Sequence, residues 1–479
     1  MKNKMKSRII YLLIAGTSLV FNACKTPEIV GKTENSSVPE KFGKATTAAS
    51  AEKVDWQAYF GDPYLTALID SALENNQELN ITRQEIEIAR NEVMARKGEY
   101  MPFVGYRGGA GLDKVPRYTN IGAMEATTDI KPGKEMPEPL PDFLGGLYAN
   151  WEVDIWHKLR NARKAAAMRF MATEEARNFM ITNLVAEIAN SYYELLALDN
   201  QLEIVRQNIQ IQSNALEIVK IQKIGSRVTE LAVKKFEAEV YKTRSLQFDI
   251  QQSIIETENR INFLVGRFPA PVPRSSTSFN DMDLNYMRTG LPSQLLANRP
   301  DIRQAELNLQ AAKIDVEVAR ANFYPSLGLS AGLGLRAFNP IYLANIPKSL
   351  LTSLTADLVG PLINKRAITA TYYNANAAQI QSVYDYERTI LNAYLEVVNQ
   401  QANIENLAQS YDLKSKQVEA LTASIGISND LFKNARADYM EVLLTQRDAL
   451  ESRFELVETK KQQMNARVNI YRALGGGWQ

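Results

Sequence analysis

One cysteine and one histidine in 479 residues remove several classes of chemistry at once. With Cys24 alone there is no intrachain disulfide, no thiolate cluster and no CxxC redox pair. His157 by itself excludes a His-rich metal site and a relay between two histidines, and no Ser or Cys nucleophile pattern accompanies it. Gly108-Gly109-Ala110-Gly111 lacks the Lys-Ser/Thr that would make it a phosphate loop. The residues therefore point to no enzyme, no catalytic residue, no metal and no cofactor. Charge is also in short supply: 55 Lys and Arg against 54 Asp and Glu leave a net +1, with no basic excess to hold a nucleic-acid backbone. Mean hydropathy is −0.26, and past the N-terminus there is no apolar run of the roughly 18 residues that a membrane-spanning helix needs. A membrane is open to this chain only through strands or a lipid.

The N-terminus has the layout of a secretory signal. Lys2, Lys4, Lys6 and Arg8 precede an apolar stretch from Ile9 to Phe21 that Gly16, Thr17 and Ser18 interrupt. The single cysteine follows directly, behind Phe21-Asn22-Ala23, in an arrangement that resembles a bacterial lipobox. Residues 1–23 are expected to be a signal peptide. Residues 24–55, rich in Ser, Thr, Lys and Ala and without period, are expected to form a tether lipidated at Cys24.

Length suggests about three domains as a prior, but internal repetition replaces three with two. Tyr100-Met101-Pro102, followed by Val104, Tyr106, Gly109 and Gly111, matches Phe323-Tyr324-Pro325, followed by Leu327, Leu329, Gly332 and Gly334. At the same separation of 223 residues, Leu79 pairs with Ile302, Ile86 with Leu309 and Val93 with Val316. The repeats are placed at 56–290 and 291–479. Each carries two stretches of strict apolar/polar or apolar/glycine alternation, such as Leu327, Leu329, Ala331, Leu333 and Leu335 against Gly328, Ser330, Gly332 and Gly334. Alternation over about 10 residues suits a strand that spans a membrane, and it equally suits a half-buried strand of a soluble sheet.

Topology separates these readings. Four strands cannot close a barrel, and an open edge is not tolerated in lipid. Copies must join: two give a filled barrel of about eight strands, three or four a wider one able to hold water. The helices are equally unusual. From about 161 to 224, and again from 366 to 432, helical periodicity runs without proline; about 64 residues at 1.5 Å each give roughly 95 Å. Such lengths imply a coiled coil or a helical tube. Short turns at 223–228 and 433–437 lead into shorter helices, and further helices over 64–100 and 291–323 precede the strands.

These features resemble the TolC-like outer-membrane efflux family, in its lipoprotein (NodT-type) branch. The segment Leu296-Ala297-Asn298-Arg299-Pro300-Asp301, continuing to Ala305-Glu306, is similar to the family signature, and Leu474-Gly475-Gly476-Gly477-Trp478 to the terminus of that branch. The resemblance implies a mainly α fold with transmembrane β: a homotrimer whose twelve strands form an outer-membrane barrel continued by a periplasmic α-helical barrel. It implies a lipid-anchored passive conduit in a Gram-negative outer membrane, exporting drugs or metal ions from an inner-membrane RND-type pump through a periplasmic adaptor. The two helical turns would form a periplasmic gate, with Asp438 and Glu441 as a constriction, Arg436 or Arg227 as their partners, and Glu230 beside the first turn. A solvated charged helix end is the plainer account of the same residues. Ile224, Gly225, Ser226 and Ala435 would form the adaptor contact. A conduit for protein secretion is the alternative function, and a lipidated periplasmic adaptor is disfavoured because adaptors need soluble β domains.

Overall fold

A computed structural model describes residues 26–42, 55–275, 279, 282, 290–434 and 436–478. Cys24, the signal segment and Ala435 lie outside the described residues. The order of elements is α1 (Trp56–Phe60), α2 (Pro63–Asn75), α3 (Gln77–Glu99), β1 (Phe103–Asp113), α4 (Asn120–Thr127), β2 (Asp129–Lys131), β3 (Lys134–Glu135), β4 (Leu140–Val153), α5 (Lys158–Ile224) and α6 (Glu230–Val265). It continues with α7 (Ser293–Asn298), α8 (Pro300–Ala321), β5 (Ser326–Ala337), α9 (Pro340–Leu343), β6 (Leu350–Val359), α10 (Arg366–Lys433) and α11 (Tyr439–Ala473). The plan of helix, strand, strand, long helix and shorter helix occurs twice. Pro102 and Pro325 stand 223 residues apart, whereas Arg227 and Arg436, after the long helices, stand 209 apart. The strand–strand connection 114–139 is longer by that difference than its counterpart 338–349.

The chain divides into two compact units: 1–33 with 88–170 and 307–383, and 34–87 with 171–306 and 384–479. The first holds an antiparallel sheet in the order β1-β4-β5-β6. Its register aligns the alternation across strands. Tyr106 faces Leu147, Leu147 faces Leu333, and Ala331 faces Leu354, so one face is apolar over the whole sheet. On the other face glycines meet. Gly146 and Gly334 are register partners, and a Cβ built on Gly146 would lie 2.6 Å from the Gly334 Cα. A Cβ on Gly105 would lie 2.8 Å from the Tyr148 ring. Arg336 and Asp142 form a bidentate pair on this face, both bonds at 2.8 Å.

Among the described residues nothing in this unit covers the outer strands of the sheet. Every residue of β6 is exposed, and so is every residue of β1 except half-buried Gly105. At the helix-proximal end, the Trp151 indole donates to the Tyr100 carbonyl at 3.0 Å and the Trp156 indole to the Pro325 carbonyl at 2.8 Å. Trp156 also stacks on Tyr324, ring centres 4.8 Å apart. Aromatics that are half exposed with satisfied N–H groups have the chemistry that suits a membrane–water boundary. Asp154 caps the start of α5, accepting from the N–H groups of Leu159 and Arg160 at 3.0 and 2.9 Å. His157 holds a left-handed turn position, φ 58°, just ahead of that helix. The strand β4 begins at Leu140, and the connection before it contains α4 and the β2–β3 hairpin.

The second unit is helical. Its main core gathers Trp56, Tyr59 and Phe60, Leu65 and Ile69 from α2, Ile188, Tyr192 and Leu195 from α5, Ile261 from α6, and Met464 and Tyr471 from α11. The helices expected as continuous over 64–100 and 291–323 are each interrupted, at Asn76 and Arg299. These two residues are equivalent under the 223-residue repeat, and each binds the end of the last helix of its own repeat. The Asn76 amide donates to the Leu264 carbonyl at 2.8 Å while its oxygen accepts from the Leu79 N–H at 2.9 Å. Arg299 donates to the Ala473 carbonyl at 2.9 Å and to Glu396 at 2.7 Å, and forks onto Asp301 at 2.8 and 3.0 Å. Glu396 is held from its other side by Arg472 at 2.8 Å.

The glycine ending each last helix completes the junction. Gly266 and Gly475 have φ of 67° or more in the left-handed sense, at 79° and 85°. A Cβ on either would lie 2.4 or 2.6 Å from the carbonyl oxygen of Asn75 or Asn298. Burial alone would lower the Arg299 pKa, but its bonds to Asp301 and Glu396 outweigh that and hold it above the ordinary arginine value.

Two outcomes are expected. Arg299→Ala leaves half-buried Asp301 without its cation and Glu396 with Arg472 alone, and should destabilise the protein by about 2–3 kcal/mol in denaturant unfolding. Gly334→Val should keep the four-stranded sheet from forming, read as loss of the strand signal in circular dichroism, whereas Gly109→Val, where an added Cβ meets nothing within 4 Å, should leave it intact.

Candidate functional site: the paired helical turns

The turns joining α5 to α6 and α10 to α11 are built alike. In the first, the Arg227 N–H donates to the Gln222 carbonyl at 2.9 Å and the Ser226 N–H to Lys223 at 2.9 Å. That is a Schellman ending, and its left-handed position belongs to Ser226, φ 52°, not to the adjacent Gly225. In the second, the Arg436 N–H donates to the Leu431 carbonyl at 2.8 Å and the Asn434 N–H to Asp430 at 3.1 Å. Three residues further on in each turn a new helix begins, with Thr229 or Asp438 at the N-cap. The Asp438 carboxylate accepts from the Tyr439 N–H at 2.6 Å.

One apolar cluster carries both turns. Leu216 and Val219 of α5, Ala232, Val233, Phe236 and Val240 of α6, and Val442 of α11 are its buried members, with Val228, Phe432 and Tyr439 packed against them. Val228 and Ala437, equivalent in the two turns, are the half-buried residues that point back toward the protein. The other named residues of the turns stand outward: Ile224, Gly225, Ser226, Arg227, Glu230, Arg436, Asp438 and Glu441 are all exposed. Gly225 has room, since a Cβ there would meet only the Gln222 carbonyl oxygen, at 3.6 Å.

The structure pairs Glu230 with Lys223, across the first turn. That bond holds the Glu230 carboxyl below the usual carboxylate range, so the pair persists on acidification until the pH falls beneath the point where ordinary surface carboxylates protonate. Arg227 and Arg436 reach no carboxylate of their own chain among the described residues. Sequence reasoning placed the turns and their charges but missed three features: the Lys223–Glu230 pair, the N-cap role of Asp438 and the shared cluster. The signal for the cap was present in the spacing, because Asp438 directly precedes the first helical residue in the position that Thr229 occupies 209 residues earlier.

Among the described residues no helix is long and apolar enough to cross a membrane. Residues 68–267 and 291–476 match the family of outer membrane efflux proteins, one match on each side of the linker between the two halves. The chain is 27% identical to the pyoverdine export outer membrane protein OpmQ of Pseudomonas aeruginosa, over 98% of this chain and 97% of that one. It is 24% identical to the probable outer membrane lipoprotein SilC of Salmonella typhimurium, over 98% of each. A solved structure of CusC superposes with a TM-score of 0.82, covering 94% of this chain and 99% of the other at 24% identity. With its duplicated strand pairs, its two helical turns and matches spanning both halves, the chain belongs to the outer membrane efflux protein family and has the TolC-like fold.

Proposed function

We propose that three copies of this chain close a twelve-stranded barrel in the outer membrane and form the exit duct of a tripartite efflux system, fed by a periplasmic adaptor and an inner-membrane RND-type pump. The observation that carries this reading is the uncovered sheet. Each chain presents four strands with one apolar face, one glycine-rich face and exposed outer strands β1 and β6. Backbone groups at such edges are costly in hydrocarbon, so β6 of one copy is joined to β1 of the next until the ring closes. Three copies give a ring of twelve strands, wide enough to conduct. The conduit is passive: nothing in it supplies energy, and its named relatives export cargoes as different as pyoverdine and cations. Selection of cargo is assigned to the pump.

The turns are assigned to the periplasmic end. Threefold repetition would set Asp438 and Glu441 in rings, a row of carboxylates that narrows a pore electrostatically. Among the described residues Arg227 and Arg436 have no carboxylate partner in their own chain, and they are assigned to carboxylates of neighbouring copies. Ile224, Gly225 and Ser226, with Ala435 in the second turn, are assigned to adaptor contact, supported by the space around Gly225. Cys24 is assigned as the lipidated N-terminus, and the described segment that follows it is anchored to the protein: the Asn376 amide donates to the Val30 carbonyl at 3.0 Å, and Phe42, fully buried, stacks on Tyr394.

The reading is tested by conductance of the purified trimer in planar bilayers. Asp438→Ala with Glu441→Ala should raise single-channel conductance, and an unchanged value refutes the carboxylate constriction. Gly225→Phe should leave trimer assembly and melting temperature unaltered yet abolish resistance in cells. Normal resistance in that variant rules out the notch.

A further inference from the structure

The duplication inside the chain supplies a template for the boundary between copies. Within one chain β4 pairs with β5, so the last strand of the first repeat meets the first strand of the second. In a closed ring β6 meets β1 of the next copy, which is again the last strand of one repeat against the first strand of another. The correspondence runs residue by residue. His157 and Asn364 hold the same left-handed position just ahead of the two long helices, with φ of 58° and 55°. The 207 residues between them carry Leu147 onto Leu354, Ala149 onto Ala356 and Asn150 onto Asp357. On the facing strand the 223-residue repeat carries Ser330 onto Arg107.

Asn150 and Ser330 are register partners within the chain. Their counterparts, Asp357 on β6 and Arg107 on β1, are opposite charges on the two free edges. The same register sets Leu358 opposite Tyr106 and Leu354 opposite Ala110, continuing the apolar face, and Thr355 opposite Gly109, continuing the glycine face. Beyond the strands, Trp156 stacks on Tyr324 within the chain. Their counterparts Ile363 and Met101 are apolar and 90% and 49% exposed.

Neither charge is answered by its own chain. Asp357 is the only charged residue of β6, and its register partner is Gly328. Arg107 faces Gly146. Both are exposed, and among the described residues neither side chain makes a hydrogen bond or ion pair within the chain. The glycine-rich face does hold such a pair where both strands belong to one chain: Arg336 reaches Asp142 on the neighbouring strand, one diagonal step from its register partner Leu144.

We propose that Asp357 of one copy lies opposite Arg107 of the next and forms an ion pair with it on the glycine-rich face, tying β6 to β1 at every boundary of the ring. The pair rests on the reading that copies join edge to edge. It also cancels charge within the duct, where three unpaired arginines and three unpaired aspartates would otherwise stand as charged rings.

A charge swap in the full-length protein tests the pair. Arg107→Asp sets two carboxylates against each other and Asp357→Arg two guanidinium groups, so each single variant should lower the temperature at which the trimer separates into chains on SDS gels. The double variant restores opposite charges in exchanged places and should return that temperature to the native value. Single variants that separate as the native trimer does, or a double variant as weak as the two singles added together, overturn the pair. The register is checked separately. Arg107→Cys with Asp357→Cys should give covalently linked trimers under an added oxidant, because opposed strand residues stand within disulfide reach, while Gly109→Cys with Asp357→Cys should not. No product from the first combination, or product from the second in its place, overturns the register. A native chain that sediments as a monomer in detergent refutes the joined ring and the pair together, whereas native trimers that the swap leaves unaffected refute the pair alone.

Discussion

The rows of backbone N–H and C=O groups along the outer edges of β1 and β6 set the terms for the rest of the molecule. In water such edges are an aggregation hazard that a covering helix or a charged side chain can manage. In hydrocarbon neither remedy serves, and only closure satisfies the groups. The proposed joining of copies answers this constraint for a chain with four strands and two such edges. Its apolar face, continuous from Tyr106 through Leu147 and Leu333, has the chemistry of a surface meant for lipid, and its glycine face has the chemistry of a curved interior. The Gly146–Gly334 contact shows why side chains are absent there: adjacent strands approach until no Cβ fits between them.

The helical unit solves a different problem, that of ending and starting helices inside a packed wall without orphaned backbone groups. Asn76 and Arg299 do this at equivalent points of the duplicated plan, each filling the end of one helix while opening another. The solutions differ in cost. An amide needs only two neutral bonds, whereas the buried guanidinium of Arg299 requires Asp301 and Glu396, and Glu396 in turn requires Arg472. The Arg-Pro-Asp segment is thus explained by structure, as a clamp across three helices.

Much of the plan was legible in residue spacing. The 223-residue repeat, the period-two strands and the proline-free helical runs each follow from geometry that neighbours in sequence impose on one another. The residues at the turns were legible for the same reason, since Gly225-Ser226 and Asn434 end long periodic segments. What escaped was long-range. The interruptions at Asn76 and Arg299 carry no strong local stop signal, and their carbonyl partners lie 188 and 174 residues away. The partners of Glu230 and Asp438 are local, but which of several nearby charges pairs with which depends on turn geometry that spacing does not specify.

The sequence by itself determined the duplicated order of elements, the strands with one apolar and one glycine-rich face, and the lack past the N-terminus of an apolar run long enough for a membrane-spanning helix, because periodicity and local sterics act between residues close in the chain. Only the tertiary structure decided the strand order β1-β4-β5-β6, the clamp formed by Arg299 and the single cluster beneath both turns. Each of these depends on which surfaces are removed from water together, and that is a property of packing between segments far apart in sequence.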